Sequence, residues 1–247
     1  MNLYGLIGFP LSHSFSKKYF TDKFANENIE AEYELFSIEN ISKFPQIIKD
    51  NPDLNGLNVT IPYKEEIFQY LDEIDEAAKE IGAVNTIKFV RNGSETKLVG
   101  YNSDAYGFEK SFNELCSLTS GNALIIGTGG GSKAVKYVLE KLGFKVQFVS
   151  PFVKGENILD YPDLTEELMK SVSVIINATP VGMYPKVDFA PELNYGFLSN
   201  QHYLFDLVYN PMETLFLKKG KDQGAAIKNG LDMLHGQAER AWEIWNQ

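Results

Sequence analysis

Gly127, Gly129 and Gly130 sit between a short apolar run, Ala123 to Ile126, and an amphipathic segment that opens at Ala134. Glycine lets a chain turn sharply and lets its backbone come close to a ligand. Backbone N–H groups at such a turn, added to the positive end of a helix, make a seat for a phosphate or pyrophosphate. Gly127-Thr-Gly-Gly130 is a variant of the dinucleotide fingerprint that lacks its third glycine. The same glycines would serve a strand-to-helix turn that binds nothing. What favours nucleotide chemistry is the context, an apolar strand before the turn and a one-faced helix after it. Ala134, Val135, Val138, Leu139 and Leu142 share that helix face, and Lys136, Glu140 and Lys141 point away.

Other groups able to do chemistry fall where strands should end. Ser14 and Ser16 follow the strand Tyr4–Gly8 and precede a helical pattern, Lys17 to Asn28, on which Phe20 and Phe24 share a face. A serine there most often caps the helix. Two hydroxyls beside a positive helix end can also hold a carboxylate. Thr60 and Lys64 follow the strand Leu54–Thr60, and Asp104 falls in the first turn of a helix that should reach about Leu118. Capping is the plain role for Asp104, and facing a ligand hydroxyl is the chemical one.

The elements that carry these groups alternate. Strands Tyr4–Gly8, Ala31–Ile38 and Leu54–Thr60 are separated by helical segments, with further helices expected at Ile41–Asp50, Glu65–Leu71 and Asp75–Ile81. That alternation implies a parallel sheet whose ligand crevice lies beyond the carboxyl ends of its strands. Asn92-Gly93 is a two-residue hairpin signal that pairs Thr86–Arg91 with Lys97–Tyr101. After the glycine turn, Lys145–Val149, Ser173–Thr179 and Tyr203–Val208 read as buried strands with polar carboxyl ends. The final helix, from Gly230 nearly to Gln247, has an apolar face of Met233, Leu234, Ala238, Ala241 and Trp245. It is expected to return to the first domain and close a cleft. The fold class is α/β in two domains: an open, mostly parallel α/β sandwich (residues 1–104 and 230–247) and a Rossmann-type domain (residues 105–229).

Composition narrows the classes. A chain of 247 residues with 44% hydrophobic and 23% charged residues can bury a substantial core. The formal net charge of -10 argues against a general nucleic-acid or anionic-membrane binder. The single cysteine, Cys116, excludes an internal disulfide and suits a reducing compartment, with a cytoplasmic location expected. It reads as a packed side chain in a helix. No membrane span and no metal site are expected.

Several separated motifs then coincide. Gly8-Phe-Pro-Leu-Ser-His-Ser-Phe-Ser16, Asn58-Val-Thr-Ile-Pro-Tyr-Lys64, Gly82-Ala-Val-Asn-Thr86 and Gly100-Tyr-Asn-Ser-Asp104 resemble, in order, the substrate half of the shikimate dehydrogenases. Gly127–Ser132, Ile176–Met183, Asp206–Thr214 and Gly230–Gln237 resemble the cofactor half and closing segment of the same family. The resemblance implies NADP-linked interconversion of 3-dehydroshikimate and shikimate, on the route to chorismate and the aromatic amino acids, by a monomer or homodimer. Carried over motif by motif, it implies that Ser14, Ser16, Thr60 and Tyr209 hold the substrate carboxylate. Asn85, Lys64, Asp104 and Gln237 would then meet the ring hydroxyls, with Lys64 and Asp104 as the catalytic dyad. It gives the cofactor to Gly127, Thr128, Gly129, Gly130, Gly131 and Ser132, with Ser150, Lys154, Ala178, Thr179, Val208 and Gly230.

Two departures from the family pattern are visible. Lys17-Lys-Tyr-Phe20 replaces the usual Pro and His-Asn after the second serine. Ser150-Pro-Phe-Val-Lys154 replaces the Asn-Arg-Thr and further arginine that clamp a 2′-phosphate. No acidic residue ends the Lys145–Val149 strand, which disfavours the NAD-type ribose contact. A real but reduced preference for NADP is expected, with Lys154 as the cation. The rival readings are a quinate/shikimate dehydrogenase that uses NAD and a non-catalytic metabolite or cofactor sensor on the same fold.

Overall fold

The computed structural model describes residues 2–11, 14–93 and 95–247, so Ser12 and His13 of the hydroxyl-rich motif lie outside the described residues. The chain divides into two compact units, Met1–Ser103 with Ala238–Gln247, and Asp104–Gln237. Against the expected division, Asp104 and residues 230–237 fall in the second unit. The division runs inside two helices, which sequence alone does not mark.

Unit 1 is built on β1 (Asn2–Gly8), α1 (Phe15–Glu27), β2 (Ala31–Ser37), α2 (Phe44–Asp50) and β3 (Leu54–Val59). It continues through β4 (Glu73–Ile74), α3 (Glu76–Ile81), β5 (Thr86–Asn92) and β6 (Glu95–Tyr101). The sheet order is β2-β1-β3-β5-β6-β4. β1 pairs in parallel with both β2 and β3, and the β5–β6 hairpin joins antiparallel to β3. Two expected helices are shorter than their patterns. Ile41–Lys43 is a 3-10 turn before α2, which accepts Pro45 at its start, and Glu66–Tyr70 is 3-10 throughout.

Unit 2 contains α4 (Ser103–Leu115, from Asp104), β7 (Gly121–Ile126), α5 (Gly130–Lys141), β8 (Phe144–Val149), β9 (Ile158–Leu159) and α6 (Glu166–Ser171). It ends with β10 (Val174–Asn177), β11 (Tyr203–Asp206), α7 (Leu215–Asp222), β12 (Ala226–Lys228) and the first half of α8 (Leu231–Trp245). The sheet is parallel throughout, in the order β12-β11-β10-β7-β8-β9. β8 and β10 flank β7 on opposite sides, so the strand order reverses at β7, where such folds open their crevice. α4 ends at Leu115 instead of near Leu118, which leaves the buried Cys116 just past the helix. Among the described residues no helix is long and apolar enough to cross a membrane.

The end of α8 has a definite seat in unit 1. Ala238, Ala241, Ile244 and Trp245 pack with Tyr4, Leu6, Phe20, Phe24 and Tyr33 on one face of the sheet. Tyr4 and Trp245 stack with centroids 4.9 Å apart, and Phe20 stacks on Tyr33 at 4.7 Å. The indole N–H of Trp245 donates to the Ile87 carbonyl at 3.0 Å, which meets the hydrogen-bonding need of a buried tryptophan. Gly56 of β3 makes room for that ring, since a Cβ there would lie 2.4 Å from it.

Trp245→Ala should destabilise unit 1 by about 3–5 kcal/mol, the range for deleting a buried aromatic. Gly56→Ala should cost about 1–3 kcal/mol by overpacking. The double variant should lose less than the two combined, because alanine at 56 then fills space that the indole has vacated. Urea titration of the four proteins checks this, and strictly additive losses would mean that the indole does not rest on Gly56.

Candidate active site and nucleotide site

In unit 1 the polar groups gather where β1 and β3 end. A Cβ on Gly8 would lie 2.4 Å from the Thr60 methyl, so glycine is what allows the two strand ends to close together. The Thr60 N–H donates to Ile7 at 2.9 Å, and its carbonyl accepts from Tyr63. The Lys64 carbonyl accepts from the Val84 N–H at 2.8 Å, which ties the lysine's backbone to the segment that carries Asn85. Ser14 is the N-cap of α1, its Oγ accepting from the Lys17 N–H at 3.4 Å. Capping is therefore a role that Ser14 fills. Its hydroxyl proton remains able to donate.

A buried polar chain runs beneath this surface. Ser16 lies in the first turn of α1, and the Tyr33 hydroxyl donates to Asn58 Oδ1 at 2.8 Å. Burial pushes the Tyr33 phenol upward, so it stays neutral. Asn58 Nδ2 faces the Asn85 carbonyl and Thr86 Oγ1 at 3.3 and 3.4 Å. Asn85 Oδ1 accepts from the Ser103 N–H at 2.7 Å and from Thr86 Oγ1 at 3.1 Å, and its Nδ2 donates to Ser103 Oγ at 3.0 Å. Asn85 thus fixes the first residue of α4, and Asp104 follows that residue by one peptide bond. Tyr33, Asn58, Thr86 and Ser103 were not singled out by sequence. Asn58, Thr86 and Ser103 each had a signal, as members of recognised motifs. Tyr33 lacks one, because a hydrogen bond across 25 residues leaves no local pattern.

In unit 2, Asp104 is buried in the first turn of α4. Further along, α4 and α8 touch through glycine. A Cβ on Gly107 would lie 2.4 Å from the Met233 carbonyl, and one on Gly236 would meet Gly107 at 3.1 Å. That contact sets Gln237, which is buried and donates from Nε2 to the Leu234 carbonyl at 3.0 Å. Tyr209 is half-buried after β11, and burial raises its phenol pKa.

The glycine turn has the form a dinucleotide requires. Gly127 has φ +99°, the region that favours glycine, and a Cβ there would lie 2.8 Å from Thr179 and 3.2 Å from the Ala178 carbonyl. α5 starts at Gly130 with Gly129 as N-cap and no side-chain cap, which leaves the helix's positive end for an anion. Ser132 Oγ donates back to the Gly129 carbonyl at 2.6 Å and fixes the turn. Gly230 lies against the Leu207 carbonyl, and its N–H donates to Val208 at 3.3 Å. Beside the turn lies a pocket of about 860 Å³, lined by Gly127, Thr128, Ser150, Thr179 and residues of the two segments 149–153 and 179–192. Its size and apolar lining suit an adenosine half, so the residues present fit a bound dinucleotide. Ser150 lines this pocket and organises its rim, accepting from the N–H groups of Phe152 and Val153 at 3.2 and 3.1 Å. Lys154 does not line it. Its ammonium pairs with Asp160 at 2.7 Å.

One buried carboxylate holds the adjoining loops. Asp206 Oδ1 accepts from Asn177 Nδ2 at 2.9 Å and the Val208 N–H at 3.0 Å, and Oδ2 accepts from Thr214 Oγ1 at 2.6 Å. Asn177 Oδ1 in turn accepts from the N–H and hydroxyl of Thr179. Burial raises the Asp206 carboxyl to about 7, against the pull of its three hydrogen bonds. Among the described residues no cluster of histidine, cysteine and carboxylates could hold a metal ion.

A family model for the shikimate dehydrogenase substrate binding domain matches residues 6–87. The chain is 42% identical to the shikimate dehydrogenase (NADP(+)) of Clostridium beijerinckii, across 100% of this chain and 93% of that protein. It is similar to the crystal structure of shikimate dehydrogenase from Aquifex aeolicus, with TM-score 0.86 and 36% identity, covering 100% of this chain and 92% of that one. It is also similar to shikimate 5-dehydrogenase from Thermus thermophilus, solved in complex with NADP(H) and shikimate. There the TM-score is 0.85 at 28% identity, covering 99% and 93% of the two chains.

The raised Asp206 carboxyl makes folding stability depend on pH. Between its ordinary value of 3.8 and about 7, the folded chain holds a proton that the unfolded chain has released. Stability must therefore fall as pH rises through that window, by on the order of 1.4 kcal/mol for each tenfold difference in proton affinity between the two states. Asp206→Asn keeps an oxygen for the two N–H donors and should flatten this slope while leaving stability near pH 5 largely intact. Urea midpoints from pH 4 to 8 check it, and an unchanged slope in the variant would assign the effect elsewhere.

Proposed function

The chain belongs to the shikimate dehydrogenase family, and on that footing we propose that it reversibly reduces 3-dehydroshikimate to shikimate with NADPH, as an enzyme of aromatic amino acid biosynthesis. The observation that carries the reading furthest is Lys64. It follows the end of β3, its carbonyl accepts from Val84 in the segment before β5, and Asn85 fixes the residue before Asp104.

Bound NADPH supplies the hydride. Reducing a ketone also requires a proton at the carbonyl oxygen as negative charge develops there. In this reading the Lys64 ammonium gives that proton. Asp104 is the second member of the acid–base pair, as the resemblance to the family implies. Ser14, Ser16, Thr60 and Tyr209 offer hydroxyl protons to the substrate carboxylate. The Ser14 lone pair is already used by the α1 cap, so its remaining proton suits an anion. Asn85 keeps one N–H after bonding Ser103, and Gln237 keeps its Oε1 and one N–H after bonding Leu234, which suits both to ring hydroxyls.

Gly127, Thr128, Gly129, Gly130, Gly131 and Ser132 would hold the pyrophosphate, and Ala178, Thr179, Val208 and Gly230 the remainder of the cofactor. The positive helix end and the apolar pocket support this assignment. The same reading includes action in the cytoplasm as a monomer or homodimer.

Lys64→Ala should lower kcat about a hundredfold or more, the scale for a lost acid–base group, with the KM for shikimate little changed. Steady-state kinetics in the direction of shikimate oxidation measure both. A retained kcat with a raised KM would make Lys64 a binding residue and overturn its chemical role.

A further inference from the structure

We propose that Lys186, on the loop that follows β10, supplies the positive charge that selects the 2′-phosphate of NADPH, in place of a cation at the end of β8. The proposal rests on the reading of the chain as an NADPH-dependent enzyme and adds the residue that makes it so.

The end of β8 is where a dinucleotide fold carries the group that reads the ribose 2′ position. Here that end is poor in charge. Ser150 accepts two backbone N–H groups and has a single hydroxyl proton left to offer. Lys154 is the nearest cation in sequence, but it is absent from the pocket lining, and its ammonium is engaged by Asp160. The Asp160 carboxyl is held below its usual range, chiefly by that hydrogen bond. The pair is largely exposed and contributes little to stability. Its consequence is that the Lys154 charge is compensated where it stands.

Among the residues that line the pocket, Lys186 is the one cation and Glu192 the one anion. Lys186 is exposed, and its ammonium has no ion pair among the described residues. Its backbone N–H donates to Met183 at 2.9 Å, so the loop beneath the side chain is anchored while the four-carbon stem can move. The remaining lining is mostly apolar, with the hydroxyls of Thr128, Ser150, Tyr161 and Thr179 among it. Phe152 and Phe189, from the two segments that wall it, are 92% and 62% exposed. Large aromatic surfaces held open in this way suit the faces of a purine ring. A purine there leaves its 2′-phosphate to be met by whatever charge the same pocket contains, and that charge is Lys186. A carboxylate such as Glu192 opposes the phosphate, so the net selectivity should be modest.

Equilibrium binding of NADPH and NADH, followed by cofactor fluorescence, tests the proposal without turnover. The unmodified chain should bind NADPH more tightly. Lys186→Gln should raise the Kd for NADPH about tenfold, the scale of one charge-assisted contact, and leave NADH within about twofold. Lys154→Gln should change the NADPH-to-NADH ratio by less than about threefold, as expected for a charge already compensated. A NADPH preference that survives Lys186→Gln, or one that Lys154→Gln removes, would overturn this assignment and leave the NADPH reading standing. Equal binding of the two cofactors by the unmodified chain would overturn both.

Discussion

The Asn85 side chain is the point on which unit 1 depends. Its amide accepts from the Ser103 N–H, donates to the Ser103 hydroxyl and accepts from Thr86, all in a buried setting. Leaving such groups unpaired would cost their full desolvation, which is why one amide can hold the start of β5 and the start of α4 in a single arrangement. The effect reaches function through neighbours. Val84, one residue before Asn85, bonds the Lys64 carbonyl, and Asp104 is one residue after Ser103. Lys64 and Asp104, the pair proposed for the proton chemistry, are therefore each one hydrogen bond and one residue from the same clasp.

Asp206 does comparable work in unit 2 with a different chemistry. Its carboxylate gathers Asn177, Val208 and Thr214, and Asn177 passes the constraint to Thr179. Thr179 packs against Gly127, whose positive φ opens the nucleotide turn. The loops after β7, β10 and β11 are thereby joined through a few buried polar atoms, while the apolar strands beneath supply the rigid base. Binding surfaces built in this way are pre-shaped, so less ordering is required when a ligand arrives.

Much of this was legible in the sequence for a physical reason. Apolar runs that end in glycine, threonine or asparagine mark strands whose carboxyl ends meet a crevice, and the glycine turn and the Lys64 and Asp104 positions follow that rule, while the β5–β6 hairpin was legible from its turn residues. Strands β4, β9 and β12 were not legible. Each has two or three residues and sits outside the inner strands, too short for a period to form. The 3-10 turn at Glu66–Tyr70 read as helix because the two share their spacing over so short a stretch. Lys154 read as the pocket's cation because its partner, six residues on, lies across a turn that no pattern announces. Lys186, which lines the pocket, carried no signal, since it sits in the long irregular stretch between β10 and β11 where spacing carries no information.

Performing the reduction, as distinct from sensing its ligands, is what this chain should be able to do. Initial rates of NADPH consumption with 3-dehydroshikimate, recorded together with shikimate formed, measure it on the unmodified chain. One shikimate should form for each NADPH consumed, with the reverse reaction running on shikimate and NADP and slower rates on quinate or with NAD. Binding of both ligands without turnover would contradict it in favour of a sensor, and faster turnover of quinate with NAD would contradict it in favour of the other enzyme.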